Sequence, residues 1–211
     1  MNAEPPLMDL ARDERADLAE FLATLTPEEW QTESLCSGWT VKDVVAHVIS
    51  YEDLNLAGLF KRFAKGLVVR ANEVGVAEYS TMSTDELLAF LNQHLRPRGL
   101  TAGFGGMIGL VDGTVHHQDI RRALGRPRAV PMQRLQRILP LVPGNPRLGA
   151  GRRIRGLHLR ATDIGWEHGT GPEVTGTGEA LLLAMTGRRQ AAAELTGPGA
   201  ATLLGRLGST K

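Results

Sequence analysis

His47, Asp112 and His116 are the residues of this chain whose types and spacing could do chemistry. Two imidazoles and a carboxylate are a common ligand set for a catalytic divalent metal, because three protein ligands leave a position for water, substrate or a thiol. Asp112 and His116 stand four apart and would share one face of a helix. Asp119, one turn further on, could orient a ligand imidazole or touch substrate. Each residue also has a bland reading: a hydrogen-bonded core histidine at 47, a helix-surface pair at 112 and 116, and an ion pair of Asp119 with Arg121 or Arg122. A carboxylate and two imidazoles are costly to bury without a partner, and a helical bundle can hold a metal between facing helices. His117 points about 100° away from His116 on a helix and is the weaker ligand candidate.

These side chains need helices to position them, and the apolar periodicity supplies four. Leu7, Leu10, Leu18, Phe21, Leu22 and Leu25 predict a first helix, after which Thr26-Pro27-Glu28-Glu29 starts a short turn around Trp30. Thr40 to Asp43 forms a Thr-x-x-Asp capping box opening a helix through His47 and Tyr51, extending towards Phe63. Residues 66–80 read as a connection. Ser83 to Glu86 caps a third helix, stopped by Pro97, and a fourth runs from Met107 to Leu124 before Gly125 and Pro127. The expected fold class is mainly α: a four-helix bundle over residues 1–145, including one more short helix between Pro131 and Val142. The turn cluster Pro143 to Pro146 and the Gly149-Ala150-Gly151 stretch mark the boundary. Beyond it, residues 151–211 read as a small α/β module: a strand through Ile154 to Ala161, a hairpin or bulged turn at Gly165 to Gly169, and short helices over Glu179–Thr186, Arg189–Leu195 and Pro198–Leu207.

Composition narrows the function classes. The 211 residues carry a formal net charge of +1 and are 42% apolar, enough for a sizeable core and unlike a general nucleic-acid binder. No long apolar run or signal-peptide pattern is present, so a cytoplasmic protein without a membrane segment is expected. Cys36 is the only cysteine, which excludes an intrachain disulfide and a Cys-rich metal site; it reads as a small buried hydrophobe. Trp30 and Trp39, flanking the loop before His47, read as packing anchors.

The segment Ser34-Leu-Cys-Ser-Gly-Trp-Thr-Val-Lys-Asp-Val-Val-Ala-His47 resembles the N-terminal metal-site signature of the mycothiol-dependent maleylpyruvate isomerase family, within the DinB-like four-helix bundle superfamily. Asp112-Gly-Thr-Val-His116-His-Gln-Asp119-Ile-Arg-Arg-Ala-Leu-Gly-Arg-Pro-Arg128 resembles that family's second metal helix, and the tail from Leu157 to Arg188 resembles its sterol-carrier-like α/β domain. The resemblance implies a DinB-like bundle with His47, Asp112 and His116 as ligands of a divalent metal, zinc being the first expectation, and with mycothiol as thiol cosubstrate. It also shows one departure: the isomerase has a glutamate where this chain has Asp112, shorter by one methylene.

Such a metal could favour the thiolate and polarise a carbonyl. In an isomerase a thiolate adds to a cis double bond, allows rotation and leaves; in a transferase it displaces a leaving group or opens an electrophile. The expected partners are therefore a small thiol and a small electrophilic or unsaturated acid, acting on a monomer or homodimer. From Arg121 to Arg155 there are ten arginines and no acidic residue. Arg121, Arg122 and Arg126, continuing the metal helix, and Arg188 beyond it are candidates for holding a substrate carboxylate in a bidentate fork; the alternative is a solvated basic face. Two other functions share the scaffold: a non-enzymatic metal- or ligand-binding regulatory protein, and a metal hydrolase that needs no thiol.

Overall fold

The computed structural model describes residues 4–54, 56–66 and 70–208. The chain divides into two compact units, one ending at Arg128 and the other beginning at Ala129. The composition changes later, at Pro143, so the predicted short helix between Pro131 and Val142 falls in the second unit.

The first unit holds α1 (Leu7–Leu22), a one-turn α2 (Pro27–Trp30), α3 (Val41–Ile49), α4 (Leu56–Gly66), α5 (Ala71–Tyr79), α6 (Thr84–Gln93) and α7 (Met107–Ala123). Four of these build the bundle: α1 packs on α6 and α7, and α3 packs on the same two. Leu18 and Leu22 of α1, Val44, Val45 and Val48 of α3, Leu87 and Leu91 of α6 and Ile120 of α7 meet in its core. The starts are fixed by side chains. Thr26, Thr40 and Ser83 each accept from the backbone N–H three residues on, and Glu29, Asp43 and Glu86 accept in return from the cap's own N–H.

The helix through His47 is shorter than its periodicity predicts, and the predicted connection after it holds a helix. α3 stops at Ile49 because the following residues are drawn inward. The Ser50 hydroxyl donates to the His47 carbonyl at 3.0 Å, and Arg62 of α4 donates to the Ser50 carbonyl at 2.6 Å, satisfying carbonyls that a continuing helix would have used. Glu52 is buried, accepting from Arg15 at 2.6 Å, from the Thr101 hydroxyl at 2.5 Å and from the Arg98 N–H at 2.7 Å. A buried carboxylate held by three donors sets where the chain turns. Part of the predicted connection, residues 67–69, lies outside the described residues; residues 71–79 form α5.

The second unit contains α8 (Met132–Ile138), α9 (Ala150–Arg153), strands β1 (His158–Ala161), β2 (Glu167–Gly169) and β3 (Glu173–Gly176), then α10 (Gly178–Met185), α11 (Arg189–Ala192) and α12 (Ala200–Arg206). The strand order is β2-β1-β3, with β2 antiparallel and β3 parallel to β1. Strand β1 starts four residues later than predicted, because Ile154 closes α9. Leu181, Leu182 and Leu183 of α10 are all buried, so this helix is apolar on every side and forms the centre of the unit against β1, β3, α9 and α11. The fold class read from the sequence holds: a mainly helical chain, a four-helix bundle followed by a small α/β module.

Candidate metal centre

Two bundle helices carry the three candidate ligands. The Thr40 cap fixes the start of α3, and His47 projects from its last turn, with the Trp39 ring 5.2 Å from the imidazole. On α7, Asp112 and His116 lie one turn apart and face α3. His47 and His116 meet edge to face, with ring centroids 4.8 Å apart. Asp112 Oδ1 lies 3.5 Å from His47 Nε2 and 3.4 Å from His116 Nε2. Both imidazoles are buried, whereas the Asp112 side chain keeps 32% of its surface, giving the cluster one side open to solvent.

The donor set suits a divalent ion. Ligand atoms about 2.0–2.1 Å from a tetrahedral metal lie about 3.4 Å from one another, close to the spacings seen here. No lysine or arginine among the described residues bonds to these three side chains. Burial works against ionisation of Asp112, yet His116 and then His47 outweigh it and hold the carboxyl well below its usual range. Burial likewise disfavours the His116 imidazolium, and Asp112, Asp119 and Cys36 together reverse this, raising His116 well above an ordinary histidine.

Behind His116 lies a support that sequence reading assigned only in part. Asp119 is fully buried, and its Oδ2 stands 3.0 Å from His116 Nδ1, which leaves Nε2 facing Asp112 and His47. The same oxygen accepts from the Cys36 thiol at 3.1 Å, and Sγ lies 3.5 Å from His116 Nδ1. Cys36 is half-buried and touches the cluster, a contact that a small buried hydrophobe would not make. Cys36, His116 and Asp119 also fall within mutual reach as donors, through the other nitrogen of the imidazole. The loop is pinned at this point, since the Leu35 N–H donates to the Asp119 carbonyl at 3.4 Å and residues 33 and 40 form a β-bridge. Neither contact has a signal in the sequence, because Cys36 and Asp119 are 83 residues apart.

The other candidates lie elsewhere. Arg121 is five positions beyond His116, about 140° round the helix. Its guanidinium sits 3.9 Å over the Phe21 ring and donates to His117 Nε2 at 2.9 Å. Arg126 is 4.7 Å from the same ring and bonds to Glu29 and Thr24. Arg122 is half-buried with partners of its own. Arg188 belongs to the second unit, donating to the Thr186 carbonyl at 2.9 Å. The structure therefore gathers His47, Asp112, His116 and Asp119 and does not bring Arg121 or Arg126 to them. His117 faces α1, where its Nδ1 lies 2.8 Å from Glu14.

Residues 11–98 match the family of the mycothiol maleylpyruvate isomerase N-terminal domain. No curated protein matches the sequence. Among solved structures, the fold is similar to the crystal structure of the mycothiol-dependent maleylpyruvate isomerase, at 14% identity, a TM-score of 0.53 and 92% coverage of each chain. It is equally similar to a histidine-to-alanine mutant of that enzyme, at 15% identity, a TM-score of 0.54 and 92% coverage of each. The family named from the two motifs is thus the one matched by the N-terminal region.

Proposed function

We propose that this chain, whose N-terminal region is that of the mycothiol maleylpyruvate isomerase family, is a metal-dependent enzyme that uses a low-molecular-weight thiol, mycothiol by family likeness, on a small electrophilic or unsaturated acid. The observation that carries the proposal is the convergence of His47 Nε2, Asp112 Oδ1 and His116 Nε2 at 3.4–3.5 Å, at the partly open side of a buried site.

His47, Asp112 and His116 would hold the ion, zinc being the first candidate. Bound there, a divalent ion would favour the deprotonated form of a thiol and polarise a substrate carbonyl. The protein's own part is positioning. Asp119 accepts a hydrogen bond from His116 Nδ1–H, which would fix the tautomer and leave Nε2 as the coordinating nitrogen. Asp112 presents a carboxylate kept ionised by its neighbours. Although shorter than glutamate, Asp112 reaches both imidazoles with one oxygen, at 3.5 and 3.4 Å.

The test is elemental analysis of protein purified without chelator, wild type beside His116→Ala and His47→Ala, followed by assays with and without thiol. Near-stoichiometric metal lost in both variants, with turnover that needs both metal and thiol, is the expected result. A metal-free His116→Ala protein with undiminished activity would refute the proposal, and metal-dependent turnover without thiol would make the chain a hydrolase.

A further inference from the structure

In the second unit, Arg152, Arg153, Arg155 and Arg206 line a cleft of about 370 Å³, within the size range of small-ligand sites. Two of the four guanidiniums are fixed by the fold. Arg153 donates to the Leu148 carbonyl at 2.5 Å and the Met185 carbonyl at 3.0 Å. It also lies against Gly149 and Gly187, both at positive φ, where a Cβ would come within 3.2 Å of the guanidinium. Arg206 donates to the carbonyls of Arg153 and Arg155 at 2.8 and 2.7 Å. The other two, Arg152 and Arg155, are exposed, and among the described residues their side chains have no hydrogen bond or ion pair.

Among the described residues no acidic side chain lines this cleft, and none occurs in the sequence between Asp119 and Asp163. Burial, followed by the neighbouring charges of Arg152 and Arg188, depresses the Arg153 pKa. Like charges gathered without a counter-charge repel one another, and every planar guanidinium offers a fork that matches a phosphate or carboxylate edge. The arrangement resembles a receptor more than a solvated face, because Arg153 and Arg206 are immobilised by backbone carbonyls beside two arginines free to close on a ligand.

We infer that the Arg152–Arg153–Arg155–Arg206 cleft binds a small, multiply charged oxyanion, a phosphate compound or a polycarboxylate. The site is contained within the second unit and does not depend on the metal proposed for the bundle.

The test is calorimetric titration of the full chain with pyrophosphate and, separately, with citrate, at low and at about 0.15 M ionic strength, where diffuse attraction is screened over about 8 Å. The exposed pair is removed in Arg152→Ala/Arg155→Ala, leaving the two structural arginines in place. Arg70→Ala/Arg96→Ala removes the same charge from side chains 77% and 61% exposed in the other unit. One anion per chain is expected, bound at least about tenfold more weakly by the first variant and unchanged in the second, given the strength of bidentate pairs. The anion that binds more tightly identifies the phosphate or the carboxylate class. Equal loss in both variants, or saturable binding of neither anion, would overturn the inference.

Discussion

Two buried polar clusters occupy different faces of α7, and adjacent histidines anchor them. On the α1 side, His117 Nδ1 bonds to Glu14, His117 Nε2 accepts from Arg121, and Arg128 donates to the same Glu14 carboxylate and, at 3.2 Å, to Gln118. Both imidazole nitrogens have protein partners, and arginines balance the acid. On the α3 side, His116 and His47 turn their Nε2 atoms to one oxygen of Asp112, and among the described residues no arginine bonds to them and the buried His47 Nδ1 has no hydrogen-bond partner. The contrast shows that a buried histidine beside a carboxylate does not by itself mark a site. What distinguishes the proposed site is that its donor atoms converge while the protein's own cations are directed elsewhere.

The comparison breaks if the two clusters respond alike to mutation. The largest effect expected is on stability, from Glu14→Ala: it leaves His117 without its carboxylate and Arg128 with only the partly exposed carboxylate of Asp17 at 3.5 Å, and should cost about 3 kcal/mol, since removing one partner of a buried pair strands the other. Urea unfolding would measure this, and the metal content should stay at the wild-type level; metal loss with little destabilisation would show that the roles are reversed. Asp119→Asn should act the other way, keeping the shape while weakening support of His116, and so lowering metal affinity by about 10–100-fold at near-native stability. Competition with a chromogenic chelator reads it. Cys36→Ser, which retains a donor towards Asp119, should fall below that range in the same assay.

A smaller effect sharpens the comparison from the surface. The partly exposed Glu173 accepts from Arg160 Nε and Nη2 at 3.0 Å each, and these bonds, with one from Thr175, lower its carboxyl pKa to about 2. An unfolded glutamate titrates near 4.3, so the pair's contribution is complete above that pH and lost as the pH falls towards about 2. Arg160→Ala should bring the Glu173 titration back up, as followed by carboxyl NMR. Stability at neutral pH should hardly change, because water screens exposed pairs. An unmoved Glu173 would show that Thr175 and His158 set its titration.

The bundle was legible because its signals are local: apolar spacing of three and four, capping boxes at Thr26, Thr40 and Ser83, and stops at Pro97 and Gly125. The pairing of Asp112 with His116 is also local, and the family motifs linked it to His47. The misread parts depend on distant partners. The break after Ile49 follows from Glu52 meeting Arg15 and residues 98–101. The role of Cys36 follows from Asp119, and the positions of Arg121 and Arg126 from Phe21. A helix wheel would have turned Arg121 away from His116, but nothing in the sequence says that Phe21 lies across from it.

The wide chain separation of the candidate ligands has a kinetic consequence. His47 comes from one bundle helix, and its partners Asp112 and His116 from another more than 60 residues later, so the three donors meet only after a long loop has closed. Such contacts belong to the late part of folding, when α3 and α7 are already docked. An ion bound there would recognise the finished bundle and not template it. Its stabilisation would appear as slower unfolding with an almost unchanged folding rate.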